Sequence, residues 1–264
     1  MRKIDYSLLD RDDISSTMFH ARFGDWTPPI QGASDHIVSV GGTPANGGSW
    51  ISCRFFPHDK SSPSILHFHG NGEVVSDYNN MYRFSRQYGF NLFAAEYRGY
   101  GASYGVSKYS NMMSDAHDIF AYFRDFILSR GYVDKLFVMG RSMGASPALE
   151  LASHYQEYLK GIIIESGSGS VNGWDRWLTP FDNPREWEHL TLLHQEKLKS
   201  ITLPLLTIHG ELDDVIPISR AIELQDAVSS CPKEMVVIPK ANHNSMFVVG
   251  MNKYMESLSR FIAE

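Results

Sequence analysis

The sequence predicts an α/β fold in which helices cover both faces of one mostly parallel, doubly wound sheet. Six short apolar runs alternate with longer amphipathic segments, and near-continuous apolar runs suit strands that are buried on both faces. One run ends in Gly140-Arg-Ser142-Met-Gly144 and leads at once into a helix-forming segment, as a strand, a tight turn and a helix would. With 264 residues, 43% of them hydrophobic, the chain can bury the core of one such domain.

Composition and charge narrow the classes of function. The formal net charge is −6 and no basic cluster stands out, so a nucleic-acid partner is not expected. Residues 1–13 lack the unbroken apolar region of a signal peptide, and no apolar run approaches the roughly 20 residues that span a bilayer. Cys53 and Cys231 lack a metal or redox spacing, which favours two buried free thiols over a disulfide. These features predict a cytoplasmic protein without a transmembrane segment.

The start of the chain is interpreted as an arm followed by a β-hairpin. Residues 1 to about 33 are polar and irregular, with two prolines at 28 and 29, and are expected to form an N-terminal arm over the domain. Segments 35–40 and 50–56 are strand-like, and the glycine-rich loop between them predicts that they pair antiparallel.

The regular alternation of strands and helices begins at residue 64. Strands are predicted over 64–69, 91–96, 136–139, 161–165, 204–209 and 234–238. Helices are predicted over about 77–88, 113–130, 143–155, 218–229 and 245–263. This order indicates right-handed βαβ crossovers, and ligands of such sheets bind at the carboxyl ends of the strands.

One connection, at about 167–200, is too long and too aromatic for a plain link between two strands. It contains Trp174, Trp177 and Trp187. We expect a small helical lid over the active site, with Trp174 and Trp177 lining an apolar substrate pocket. The alternative is a helix–loop insertion whose aromatic side chains pack on the main core.

Ser142, at the apex of the turn, is the candidate nucleophile. A serine hydroxyl needs a base to take its proton and an acid to orient that base, and after such a turn both follow in the chain. His243, after the last predicted strand, is the candidate base. Asp213 is preferred as the acid because it lies three residues past the glycine that ends its strand, but Glu211 and Asp214 compete with it.

The oxyanion that would develop on the substrate needs fixed hydrogen-bond donors. The backbone N–H of Met143 is one candidate, because amides at the start of a helix are free and the helix dipole favours negative charge there. The loop after the strand at 64–69 should supply the second donor, and the backbone N–H of Asn71 is the candidate.

Other residues match parts of the pattern without its context. Gly101–Gly105 is a second Gly-x-Ser-x-Gly, but no strand runs straight into it and no helix follows at once. Ser103 is therefore interpreted as a loop residue. His69 and His209 each end a strand beside a glycine, where an imidazole can brace a loop by hydrogen bonding.

With these motifs in place, the chain from about residue 19 onward resembles a serine α/β-hydrolase. His69-Gly-Asn-Gly-Glu73 resembles the oxyanion loop of monoacylglycerol-lipase-like enzymes, and residues 96–105 are similar to the Bem46-like group of small hydrolases. The resemblance implies the α/β-hydrolase fold, with an eight-stranded sheet, an antiparallel second strand and a cap after the sixth strand. It also implies a triad of Ser142, Asp213 and His243 and an oxyanion hole made by the backbone amides of Asn71 and Met143.

The leading hypothesis is a serine hydrolase of carboxylic esters or thioesters, with an apolar acyl group and no metal or organic cofactor. A peptidase or amidase with the same triad is the alternative among enzymes. A dehalogenase or epoxide hydrolase is disfavoured, because those enzymes normally carry aspartate in place of Ser142. The alternative outside enzymes is a binding or receptor protein on the same fold with little turnover.

Overall fold

The fold is described from a computed structural model, which covers residues 4–42, 48–171 and 184–264. The strands are β1 (Ser34–Val40), β2 (Ser49–Phe56), β3 (Ser64–Phe68), β4 (Asn91–Ala95), β5 (Leu136–Arg141), β6 (Leu159–Glu165), β7 (Leu205–Gly210) and β8 (Lys233–Ile238). The α-helices are α1 (Asp12–Met18), α2 (Met81–Tyr88), α3 (Tyr109–Ser129), α4 (Ala145–His154), α5 (Pro184–Lys199), α6 (Ile218–Ala227) and α7 (Met246–Ala263).

The eight strands form one sheet in the order β1-β2-β4-β3-β5-β6-β7-β8. β2 runs antiparallel to both of its neighbours, β1 and β4, and all other neighbouring pairs are parallel. The predicted fold class, the hairpin and the antiparallel second strand are therefore confirmed. Because β5 to β8 are parallel, the loops that follow them emerge at one edge of the sheet.

Two apolar cores lie on the two faces of the sheet. The first core packs α1, α3, α4, α5 and α6 on one face, with side chains such as Phe120 and Leu149 fully buried. The second core packs α2 and α7 on the opposite face, where Tyr254 and Leu258 are buried. Both faces of the central strands are thus covered, as near-continuous apolar runs such as Ile162–Ile164 require.

The N-terminal segment is more regular than predicted. Residues 1 to about 33 were expected to be irregular, and this expectation is wrong for Asp12–Met18, which form α1. Ile14 and Met18 lie one turn apart on the buried side of α1 and pack into the first core. With five polar residues around only these two apolar ones, the helix has little periodic signal in the sequence.

Several predicted boundaries also shift. The helix expected over 77–88 begins as a 3-10 segment at Val75–Asn80 before α2, and α3 begins at Tyr109 rather than 113. The connection after β6 contains α5, whose Trp187 packs against the first core.

The two cysteines are free, but only Cys53 is buried. The prediction of two buried thiols is wrong for Cys231, which is exposed in the loop before β8. Across the described ranges, none of the helices combines the length and the apolar character needed to cross a membrane.

Candidate active site

The Gly-x-Ser-x-Gly motif at residues 140–144 forms a sharp turn between β5 and α4. β5 ends at Arg141, Ser142–Gly144 form a single 3-10 turn, and α4 follows directly. Ser142 has a φ of 52°, in the left-handed region that residues other than glycine rarely occupy. Such a conformation is kept only where the surroundings hold it, which makes this serine a candidate for function.

Close backbone contacts account for the two glycines of the motif. A Cβ atom on Gly140 would lie 2.2 Å from the carbonyl oxygen of Gly144. A Cβ atom on Gly144 would lie 2.1 Å from the carbonyl oxygen of Phe68, at the end of β3. Neither position therefore admits a side chain unless backbone moves. The contact with Phe68 also places the loop after β3 directly against the start of α4.

His243 lies between a hydroxyl and a carboxylate. Its Nε2 atom is 3.0 Å from the Oγ atom of Ser142, and its Nδ1 atom is 2.9 Å from Oδ2 of Asp213. An ionised carboxylate can only accept, so Nδ1 carries the proton and Nε2 is left to accept from the serine hydroxyl. Both His243 and Asp213 are buried, at 7% and 6% exposure. The geometry is that of a base poised beside a hydroxyl.

Asp213 is the one of the three candidate carboxylates whose oxygens reach His243. Its Oδ1 atom also accepts the backbone N–H groups of Val215 and Ile216, at 3.1 and 2.8 Å. Burial acts to raise the pKa of Asp213, but the hydrogen bonds from His243 and Ile216 outweigh it and leave the pKa lowered. Glu211 instead accepts the backbone N–H of Lys240, and Asp214 is exposed.

The candidate oxyanion loop, residues 69–72, is fixed through the side chain of Asn71. The amide nitrogen of Asn71 donates to the Met18 carbonyl at 2.7 Å, and its oxygen accepts from the hydroxyl of Tyr100 at 2.7 Å. Within the described ranges, neither the backbone N–H of Asn71 nor that of Met143 donates to another residue. Both amides are thus free to serve a ligand, and their role in an oxyanion hole stays a prediction.

His69 and His209 have the bracing contacts expected of them. The two ring nitrogens of His69 lie 2.8 Å from the carbonyl of Gly70 and 2.8 Å from a carboxylate oxygen of Glu96. Burial acts to lower the pKa of His69, but Glu96 outweighs it and raises the pKa. His209 hydrogen-bonds the carbonyl of Ile216 at 2.8 Å, which helps to shape the loop that carries Asp213.

Two residues near this site were missed by sequence reasoning. Ser166 is fully buried and has a φ of 42°, and its side chain acts to lower the pKa of Asp213. It follows a strand directly, but the sequence offered no reason to separate it from the long connection. Arg141 contacts loops on both sides of Ser142, and the motif treats its position as variable.

The predicted substrate-pocket residues Trp174 and Trp177 lie outside the described residues. The lid over about 167–200 therefore stays a prediction. A cavity of about 220 Å³ lies between α5 and α6, with His194 and Leu224 among its lining residues. None of the triad candidates lines this cavity.

Among the described residues, His117, Glu150 and His154 form a group whose donor atoms lie within 4.8 Å of one another. Glu150 also pairs with Lys197, whose ammonium is 2.7 Å from its second oxygen. The Nδ1 atom of His154 is 3.0 Å from the Glu150 carbonyl. Protein partners thus account for the polar contacts of this group, which lies at the end of α4 remote from Ser142.

Comparisons with known proteins agree with this architecture. A family model described as serine aminopeptidase, S33, matches residues 59–182. The chain is 26% identical over 219 residues to alpha/beta hydrolase domain-containing protein 17B of Homo sapiens, covering 82% of this chain and 72% of that protein. It is also 26% identical over 210 residues to protein bem46 of Schizosaccharomyces pombe, covering 78% and 69%.

Solved structures show the same fold at lower identity. The esterase Pf2001 of Pyrococcus furiosus superposes with a TM-score of 0.70 and 19% identity, over 93% of this chain and 95% of the esterase. A predicted CIB-like hydrolase of Thermoplasma acidophilum superposes with a TM-score of 0.61 and 20% identity, over 87% and 97%.

Proposed function

The chain belongs to the α/β-hydrolase superfamily and is Bem46-like, and we propose that it cleaves carboxylic esters or thioesters through an acyl-enzyme intermediate. The observation that carries this proposal is the position of His243, within hydrogen-bond distance of both Ser142 and Asp213. The less specific assignment, that the protein is a hydrolase without a defined substrate, is supported by the family alone.

The reaction would proceed in two steps, acylation of Ser142 and hydrolysis of the acyl-enzyme. Nε2 of His243 takes the proton of Ser142 as Oγ bonds to the substrate carbonyl carbon, and the carbonyl oxygen becomes an oxyanion facing the amides of Asn71 and Met143. The bond to the alcohol or thiol then breaks, and the leaving group takes the proton from His243. Water repeats the sequence on the acyl group and releases the acid. Asp213 stays ionised and stabilises the imidazolium.

Covalent labelling tests the nucleophile. A fluorophosphonate should form one adduct, at Ser142, and Ser142→Ala should abolish both the adduct and ester turnover. Ser103 is the matched control, because it occupies the second Gly-x-Ser-x-Gly but its Oγ accepts the backbone N–H of Ser52 in a buried contact. Folded Ser103→Ala protein should label as the wild type does.

Two outcomes of the labelling experiment would contradict the proposal. Absence of any adduct on folded protein would favour a binding protein on the hydrolase fold. An adduct on a residue other than Ser142 would contradict the assignment of the nucleophile. A panel of esters with increasing acyl length then tests the predicted apolar preference, for which Trp174 and Trp177 remain the candidate residues.

A peptidase or amidase is the second candidate, because the matching family model is described as a serine aminopeptidase. The same three side chains could serve, with His243 protonating an amine as it leaves. Esters and anilides of one aminoacyl group separate the two candidates. A kcat/KM for the anilide equal to or above that for the ester would favour the peptidase.

A further inference from the structure

Arg141 stands between Gly140 and Ser142 and ends β5 with a largely buried side chain. The guanidinium lies between two carboxylates: its Nη1 atom is 2.7 Å from Oε1 of Glu73, and its Nε atom is 3.2 Å from Oε1 of Glu165. Only 12% of the arginine side chain is exposed. In so dry a setting, charged hydrogen bonds are strong and geometrically demanding.

The same guanidinium holds the loop that carries the candidate base. Its Nη2 atom donates to the backbone carbonyl of His243 at 3.0 Å and to Oδ1 of Asn244 at 3.0 Å. The contact with His243 is to its main chain, so it fixes the origin of the imidazole without touching the ring. A movement of the arginine would therefore move the Nε2 atom relative to Ser142.

Through Glu73, the arginine also reaches the candidate oxyanion loop. Oε2 of Glu73 accepts the backbone N–H of Gly70 at 2.7 Å and the hydroxyl of Tyr78 at 2.8 Å, while Oε1 faces Arg141. Gly70 directly precedes Asn71, whose amide is a predicted oxyanion donor. Arg141 is thus linked through the carboxylate of Glu73 to the residue that precedes Asn71.

The second carboxylate anchors the guanidinium to the sheet. Glu165 ends β6, and its Oε2 atom accepts the hydroxyl of Tyr254 from α7 at 2.8 Å. Only a planar fork with five donors can serve Glu73, Glu165 and the base loop together, and an ammonium cannot copy it.

We propose that Arg141 is a positioning residue that sets the distance between the oxyanion loop (residues 69–72) and the base loop (residues 241–244) on the two sides of Ser142. The inference rests on the proposed function and adds to it a residue that touches no substrate. A purely structural ion pair would make a different prediction: its loss would lower stability while each folded molecule kept its turnover rate.

The test compares three variants with the wild type. Arg141→Met removes all the polar contacts, and Arg141→Lys keeps the charge but not the planar fork. Glu73→Gln removes the carboxylate that joins Arg141 to Gly70 but leaves the contacts of Arg141 with the base loop. Arg54→Met is the matched control, because Arg54 is fully buried and ion-paired with Asp35 but contacts none of the triad or oxyanion residues.

For folded Arg141→Met we expect kcat for a short ester to fall roughly 100-fold, because misplacement by about 1 Å is enough for such a loss, with KM changed less than about threefold. Arg141→Lys should recover stability more than kcat. Hydrogen exchange should become faster in peptides covering both loops. Arg54→Met should lose stability but keep kcat within about threefold per folded molecule.

Two results would overturn the proposal. One is a kcat for Arg141→Met and Arg141→Lys that matches the Arg54 control. The other is unchanged exchange in both loops. Exchange is measured without substrate, so it decides on Arg141 even if wild-type protein turns over no ester, which would instead count against the proposed function. If Arg141→Met fails to fold, Arg141→Lys and Glu73→Gln carry the comparison.

Discussion

The hydrogen bonds around the carboxylate of Asp213 explain the role proposed for it beside His243. One oxygen of Asp213 accepts two backbone N–H groups, and both carboxylate oxygens lie within hydrogen-bond distance of Nδ1 of His243. These bonds fix the rotation of the carboxylate. The ionised form is favoured, so the group is suited to hold an imidazolium rather than to exchange protons.

Replacing Asp213 with Asn should lower kcat/KM by roughly 10³- to 10⁴-fold, because an amide presents a donor to Nδ1 and selects the wrong tautomer of His243. Steady-state kinetics on an activated ester measures the effect. Glu211→Gln and Asp214→Asn are the controls, and each should stay within about threefold of the wild type. A large loss in either control, with little change in Asp213→Asn, would assign the acid differently.

The sequence could narrow the acid to three neighbours but could not choose among them by contact. Glu211, Asp213 and Asp214 share one loop, and only the direction of each side chain separates them. For Arg141 the sequence held no usable signal, because its partners Glu73, Glu165 and His243 come from three distant segments. Such a network depends on how strands are ordered in the sheet, which the pattern of apolar runs predicts only in outline.

The junction of β5 and α4 depends on backbone contact more than on side chains. Gly144 has a φ of −62°, which any residue adopts, so steric contact alone requires glycine there. Its would-be Cβ meets the Phe68 carbonyl, and neither partner is a flexible side chain that could swing away. The turn, the end of β3 and the candidate oxyanion loop (residues 69–72) are therefore mechanically coupled.

Gly144→Ala should destabilise the fold by about 3 kcal/mol or more, because backbone must shift to relieve the overlap. Ester turnover per folded molecule should fall as well, since the same shift displaces the oxyanion loop. Urea unfolding and steady-state kinetics give the two readouts. Gly89→Ala is the control: its φ of 80° is strained for alanine, but nothing lies within 4 Å, so only about 1–2 kcal/mol and no loss of turnover are expected.

The two helical starts that sequence reasoning misplaced share a cause. α3 begins at Tyr109, four residues before its predicted start, and the element before α2 begins as a 3-10 segment at Val75. The N-cap residues Val74 and Lys108 provide no side-chain acceptor, although the carboxylate of Asp77 accepts the backbone N–H of Val74 at 3.0 Å. Without an N-cap serine or aspartate, the sequence offers no local mark for where a helix begins.

A buried polar network links three remote parts of the molecule. Lys197 on α5 donates to the hydroxyl of Tyr6 at 2.6 Å and to Glu150 on α4 at 2.7 Å. Burial acts to raise the pKa of Glu150, but the hydrogen bond with His117 and the charge of Lys197 outweigh it and lower the pKa to about 2. The N-terminal segment, the helix of the long connection and the core helix are thus linked through the ammonium of Lys197.

The network predicts a specific dependence of stability on pH. The folded pKa of Glu150 lies below the ordinary 4.5, so its ionised form stabilises the fold above that pH. The contribution is lost as pH falls from about 4.5 toward about 2, and amounts to about 3 kcal/mol. The gap in unfolding free energy between wild type and Glu150→Gln should therefore narrow as pH falls below about 4.5.

Urea unfolding at a series of pH values measures that gap. Glu157→Gln, a substitution of an exposed glutamate, is the control, and its curve should run parallel to that of the wild type. A gap between wild type and Glu150→Gln that stays constant with pH would show that the carboxylate contributes through packing rather than through its charge.

The hydrogen bond between Ser142 and His243 joins residues that are 101 positions apart. During synthesis, the turn that carries Ser142 emerges well before β8 and the loop that carries His243. A nascent chain of intermediate length therefore contains Ser142 but not yet His243. The proposed acyl transfer would therefore require that β8 and residues 241–244 have joined the fold, so the order of synthesis would delay it.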